Sequence, residues 1–297
     1  MNLLKVLYDR LPESNRSAIR SLVPDPILRW YAHRNTDVYM VSYPKCGRTW
    51  LRMMVGRAIG QYFSLPEDED TLFLRWKNRP NPLIPRISVV HDDRPMLKTP
   101  NELENSKARF RNKRVIFLVR DPRDVIVSSY FEMKNRGHLF GDNPYEKRKA
   151  VFEGSLSEFI LRETGGFETI LSYYNIWASN RQVPRDFLLV RYEDMKAEPC
   201  KELRRVIDFL GLHVIPDAIL VEAVEYASFE NMRKLEAEGS FRSGILNPAD
   251  RTNDETYKTR KGKVRGYVDY LDESEIASLN QKMLEELSPI FGYTSSI

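Results

Sequence analysis

The apolar positions of the chain follow two periods that alternate. Short runs rich in β-branched residues, DVYMVSY at 37–43, RISVVH at 86–91, KRVIFLVRD at 113–121 and DFLLVRYED at 186–194, read as buried strands. Helical spacing fills the intervals: WLRMMVGRAIG after the first run, PRDVIVSSYFEMKNR after the third, SLSEFILRETGGFETILSYYNIWAS before the fourth and CKELRRVIDFLG after it. Strands alternating with helices predict an α/β fold, a central and mostly parallel sheet covered by helices on both faces. One domain over residues 1–297 is expected, since no repeat or low-complexity linker interrupts the pattern.

The two ends and one internal segment depart from it. Residues 1–36 mix leucines, aromatics and basic residues without the compact apolar region and cleavage site of a signal peptide. They predict short amphipathic helices capping the core, with peripheral attachment to anionic lipid as the alternative. Residues 234–265 are polar and charged with few periodic apolar positions, which predicts a lid-like loop. From Asp272 the pattern returns to helix, with DESE as a capped start.

Composition narrows the function classes. Lys and Arg number 46 against 42 Asp and Glu, a net charge of +4, which argues against nonspecific nucleic-acid binding and leaves room for a local anion site. Two cysteines far apart and four histidines without pairing give no metal-ligand spacing, so no metal is expected, and a reducing cytoplasmic setting is the simplest inference. No stretch reaches the roughly 18 apolar residues of a membrane span.

The candidate chemistry begins in VSYPKCGRTWLRMMVGRAIG, residues 41–60. A strand, a tight loop and a helix gather unpaired N–H groups where the helix dipole also favours an anion, so the loop is P-loop-like. Lys45 adds a mobile positive charge, Gly47 permits close approach of the backbone and Thr49 supplies a hydroxyl. A Walker A loop places its lysine after the last glycine, whereas Lys45 precedes Gly47 and no Walker A sequence occurs in the chain.

Tyr43-Pro44-Lys45-x-Gly47-x-Thr49-Trp50 resembles the 5′-phosphosulfate loop of the cytosolic-type sulfotransferases, which use 3′-phosphoadenosine 5′-phosphosulfate (PAPS). FLVRDPRDVIVSSY is similar to that family's 3′-phosphate segment, with Arg120 at a strand end and Ser128 eight residues on. RYEDM resembles the segment whose tyrosine, here Tyr192, packs on adenine, and RKG resembles the late 3′-phosphate clamp, here Arg260, Lys261 and Gly262. The resemblance implies a transferase with PAPS as donor and no metal. Donor contacts are expected from Lys45, Cys46, Gly47, Arg48, Thr49, Trp50, Arg120, Ser128, Tyr192, Phe229, Arg260, Lys261 and Gly262. The residues make the same sense physically: a donor with two anionic ends needs two basic clusters, and aromatic rings can sandwich its base. Arg123 is expected instead in a surface salt bridge with Asp121 or Asp124.

Sulfuryl transfer needs in-line attack, charge stabilisation on the leaving oxygen, assigned to Lys45, and a base for the acceptor. The family places its histidine at the end of a P-R-x-x-K-T-H segment, and Pro85 to His91 reproduces both ends, so His91 is the expected base. Val89 and Val90 replace the lysine and threonine. A rival alignment through MLKTP keeps Lys98-Thr99 but leaves Pro100 where the base belongs; Lys98 is still expected to reach the sulfate from the adjoining loop. The bland reading of His91 is a strand-end histidine bonded by Asp92 or Asp93. Cys46 stands where the family has serine, and a lowered thiol pKa is expected there from the helix N-terminus. Arg48 stands where it has threonine, adding charge beside the donor or pointing out to an acidic side chain.

Two other functions share these features, a nucleotide kinase-like enzyme and a catalytically inactive nucleotide-binding scaffold. The acceptor stays open among a small phenol or alcohol, a glycolipid and a saccharide. No nucleic-acid partner is expected. The chain after RKG lacks the K-T-V-type dimer motif of the animal members, so no dimer of that kind is expected either.

Overall fold

A computed structural model of the chain describes residues 25–76, 80–136, 151–241 and 246–294. Most of the expected N-terminal cap therefore lies outside the described residues, as do residues 137–150. From the cap, helix α1 (Asp25–Arg34) is described.

Four parallel strands form the sheet, β1 (Val38–Ser42), β2 (Ile87–Val90), β3 (Arg114–Val119) and β4 (Asp186–Arg191), in the order β2-β1-β3-β4. Val41 pairs with Val90 on one side and with Phe117 on the other, and Phe117 pairs in turn with Leu189. All of β1 and all of β3 after its first residue are buried, which is why these runs are continuously apolar rather than alternating. The α/β reading and the parallel sheet are thus observed.

Helices α2 (Arg48–Tyr62) and α3 (Glu69–Leu72) follow β1, and α4 (Pro122–Arg136) follows β3. The long pattern at 155–179 is two helices, α5 (Leu156–Ile160) and α6 (Phe167–Ser179), because the chain breaks at the Gly165-Gly166 pair. The fourth apolar run ends as a strand three residues early: α7 (Tyr192–Ala197) starts at its Tyr192. Glu193 explains the turn, since its carboxylate accepts from the Asp121 N–H at 2.9 Å and from the Tyr293 hydroxyl at 2.7 Å.

After α8 (Pro199–Phe209) come α9 (Asp217–Tyr226) and α10 (Phe229–Glu238), so the segment expected to be a lid begins as helix. Among its described residues a 3₁₀ turn follows at Asp254–Thr256. Buried Glu236 stitches it down, accepting from the backbone N–H groups of Lys258 at 2.6 Å and Thr259 at 2.9 Å and ion-pairing with Arg136. Helix α11 (Glu273–Glu286) starts with the capping box that DESE implied, Asp272 accepting from the Glu275 N–H at 2.8 Å. Among the described residues no helix is long and apolar enough to cross a membrane.

Strand order sets the site. The chain leaves β1 for β2 on one side and β3 for β4 on the other, so their carboxyl ends open a crevice between them. Open α/β sheets bind ligands at such a switch point. The Lys45 loop follows β1 and Arg120 follows β3.

Candidate active site

Gly47 caps α2 at φ 87°, in the left-handed region that favours glycine, and a Cβ there would lie 2.6 Å from Cδ2 of Tyr192. The Tyr192 ring thus roofs the loop. No acidic residue occupies the first turn of α2, so nothing neutralises its positive end. Lys45 Nζ pairs with Glu132 Oε2 at 2.7 Å. Burial alone would raise the Glu132 pKa, but Lys45, Lys258 and Arg136 overcome it and hold the carboxyl well below the usual carboxylate range.

Cys46 corrects an expectation. Its side chain turns into the core, fully buried, with Sγ 3.3 Å from the Tyr174 hydroxyl. Burial pushes the thiol up to about 12, the reverse of the lowering expected from the helix N-terminus. It does not line the cavity, so the Cys46 thiol is not offered to a ligand.

The crevice widens into a cavity of about 1300 Å³. Lys45, Gly47, Arg48, Thr49, Trp50, His91, Arg120, Ser128, Tyr192, Phe229, Arg260, Lys261 and Gly262 all line it, whereas Cys46 and Lys98 do not. Arg120 spans two segments, donating to the Lys45 carbonyl at 3.4 Å and to the Lys263 carbonyl at 3.0 Å, with Asp124 at 3.3 Å and the Tyr192 ring 4.5 Å away. Gly262, at φ 57°, lies flat on Phe229: a Cβ there would meet its Cδ2 at 2.7 Å. Arg260 rests 4.0 Å from the Phe131 ring and 3.3 Å from Glu255. The Trp50 and Tyr192 rings meet edge to face, with centroids 5.7 Å apart. Arg123 forms the expected pair with Asp121, two bonds of 2.9 and 2.6 Å, but buried rather than on the surface.

His91 follows β2. Its Nδ1 is 3.0 Å from the Ser42 carbonyl, which only accepts, so Nδ1 carries the proton and Nε2 the lone pair. Arg48 Nη2 lies 2.6 Å from Nε2 and donates to it. Tyr173 fixes the backbone, its hydroxyl donating to the His91 carbonyl at 3.1 Å. The next three residues, Asp92, Asp93 and Arg94, have φ of 33°, 63° and 53°. Such a left-handed turn costs about 1–2 kcal/mol per residue and is strain held at a site. Asp92 anchors it to Lys107 at 2.9 Å and to Arg109, and Asp93 accepts from the Glu104 N–H at 2.6 Å.

The two aspartates thus hold the turn, while the His91 ring meets Ser42 and Arg48. Lys98 is spent there too: it pairs with Asp93, donates to the Glu102 carbonyl at 3.1 Å and does not line the cavity, so the expected reach to a sulfate is not seen.

Glu132 and Lys258 escaped the sequence reading, and both line the cavity. Glu132 stands one helical turn after Ser128, a spacing that places both on one face of α4 and could have flagged it. Lys258 carries no motif signal; burial pulls its ammonium down to about 7, with Glu132 opposing the shift and Lys45, Arg136 and Arg48 adding to it.

Residues 35–290 match the family described as the sulfotransferase domain. The chain belongs to that family. Over 276 residues it is 28% identical to flavonol 3-sulfotransferase of Flaveria bidentis, covering 86% of this chain and 83% of that one. It is 25% identical to sulfotransferase 2A2 of Mus musculus over 287 residues, 95% of this chain and 94% of the other. In fold the enzyme is similar to mouse sulfotransferase SULT7A1 complexed with PAP, with a TM-score of 0.59 at 20% identity over 88% and 89% of the two chains. It is also similar to retinol dehydratase in complex with androsterone and inactive cofactor PAP, with a TM-score of 0.57 at 17% identity over 86% and 82%. The enzyme is a sulfotransferase with a single α/β fold.

Proposed function

We propose that this sulfotransferase moves the sulfuryl group of PAPS to a hydroxyl or amine of a small acceptor, with His91 as general base. The observation that carries the reading is convergence: the Lys45 loop, the Arg120 and Ser128 pair, the Arg260 to Gly262 turn and His91 arrive from four parts of the chain and open on one cavity. The residues fit such a donor. The cavity holds Lys45, Arg120, Arg260 and Lys261 beside the Trp50, Tyr192 and Phe229 rings, and Gly47 and Gly262 lie against Tyr192 and Phe229. When bound, the donor supplies an activated sulfuryl group whose leaving group is a phosphate.

The protein's part is electrostatic and positional. Lys45, released from Glu132, neutralises charge building on the leaving oxygen, and the α2 N–H groups hold the phosphate. Arg120 with Ser128 and Arg260 grip the other end and fix the line of attack. His91, its tautomer fixed by Ser42, takes the acceptor's proton at Nε2. Around His91 the cavity wall carries Val90, Met96, Leu97, Tyr39 and Phe110 together with the polar Ser88, Asp92, Asp93, Arg94 and Arg109, a mixture that suits an acceptor with an apolar body and polar groups.

Thermal unfolding with adenosine 3′,5′-bisphosphate, beside ATP with magnesium, tests the donor. A ligand at a hundred times its Kd contributes about 2.7 kcal/mol, expected to raise the midpoint by roughly 5–10 °C. A rise only with ATP and magnesium would turn the assignment to a kinase-like enzyme. His91→Ala is expected to lose turnover while keeping bisphosphate binding; unchanged turnover would remove His91 from the mechanism.

A further inference from the structure

The Arg48 side chain leaves the phosphate loop for the end of β2. As the first residue of α2 its backbone belongs to the anion site, yet its guanidinium ends on His91, with Nη2 donating to Nε2 at 2.6 Å. The Ser42 carbonyl already holds the proton on Nδ1, so the lone pair that must accept a substrate proton is the one Arg48 occupies. The other terminal nitrogen, Nη1, is buried without a hydrogen-bond partner. A buried guanidinium with an unmade bond is costly, and the contact it does make is to the proposed base.

We propose that Arg48 guards the base, capping His91 until an acceptor displaces it and so suppressing hydrolysis of the donor by water. The inference rests on the proposed reading of His91 as base and PAPS as donor. In the suppressed reaction a water oxygen bonds to sulfur while the bond from sulfur to the bridging phosphate oxygen breaks. The electron pair stays on the departing bisphosphate, and the water proton passes to Nε2. A cation donating into that lone pair stops the transfer twice, by occupying the acceptor atom and by opposing a second positive charge beside it. An acceptor carries an apolar body whose burial along Val90, Met96 and Leu97 can displace the guanidinium. Water has no such body, so the cap discriminates between the two nucleophiles.

The test compares the full chain with Arg48→Thr, His91→Ala and the double variant, supplied with sulfur-35-labelled PAPS and no acceptor. Arg48→Thr is expected to release inorganic sulfate at least about tenfold faster, a part of the roughly 10²–10⁴-fold that a positioned base contributes, and the double variant to fall back to the His91→Ala rate. A second readout needs no donor: in nitrogen-15 spectra of histidine-labelled protein, the Nε2 resonance of His91, assigned by its loss in His91→Ala, is expected to move on Arg48→Thr to the position of an uncapped imidazole nitrogen. An unmoved resonance, or a moved one with sulfate release at or below the wild-type rate, overturns the guard. Arg48→Gln serves as the second variant if Arg48→Thr fails to fold. Failure of the wild-type chain to bind the bisphosphate removes the donor reading instead, a result on which the resonance does not depend.

Discussion

Lys258 shows how burial and charge compete at a single residue. Its ammonium is pulled from 10.5 to about 7, chiefly by burial. Between those values the unfolded chain binds a proton that the native state lacks, so this group makes stability rise with pH from about 7 to 10.5 and adds no slope below its folded pKa. An anionic ligand in the cavity favours the charged form and draws the proton back. At pH 8 the bisphosphate is already ionised, so its binding is expected to take up a proton, up to about one per site. Calorimetry in Tris and in HEPES measures this through the difference in apparent enthalpy, and net release would contradict the placement. Cys46 gives the complementary lesson. A thiol at a helix N-terminus reads as reactive in sequence, but a fully buried thiol pays more in desolvation than the dipole returns.

Among the elements, the strand-loop-helix from β1 to α2 shows how a local motif depends on a distant neighbour. Its glycine was legible in sequence as a point of close backbone approach; that the Tyr192 ring is what approaches it was not. Gly47→Ala meets both obstacles, a left-handed φ of 87° and a Cβ 2.6 Å from that ring. The backbone alone costs about 1–2 kcal/mol, and the ring must shift from its place in the cavity wall. Bisphosphate affinity is expected to fall at least about tenfold by calorimetry, with a lowered midpoint; unchanged affinity would mean the Tyr192 roof is no part of the site. Tyr192 itself was assigned to the fourth strand because RYED continues an apolar run. The Glu193 bonds to Asp121 and Tyr293 turn it into a helix, and both partners are remote in sequence.

Across the whole molecule, one buried carboxylate joins the 234–265 segment to α4. Glu236 on α10 holds Arg136 of α4 and the N–H groups of Lys258 and Thr259, and Arg136 in turn contacts Glu132, the partner of Lys45. Glu236→Ala leaves a buried guanidinium and two N–H groups short of a partner, a loss of about 3 kcal/mol or more. For a chain of this size that is a fall in midpoint of roughly 6–12 °C, expected together with weaker bisphosphate binding because the Arg260 turn follows directly. A fall in midpoint with binding intact would show that the lid and the site are uncoupled.

The sequence by itself determined the α/β alternation, the strand-loop-helix around Lys45, the order of the four motifs that line the cavity and the histidine at the end of β2. These are written in periodicity and in residues close along the chain, which local physics can decode. Only the tertiary structure decided that Cys46 faces the core, that Asp92, Asp93 and Lys98 are spent on a left-handed turn, that Glu132 and Lys258 join the cavity, and that Arg48 crosses to His91. Each of these depends on the order β2-β1-β3-β4, which brings the ends of β1, β2 and β3 together from segments tens of residues apart. Pairing across such distances is set by the burial of the whole sheet, and no local pattern encodes which side chain will meet which.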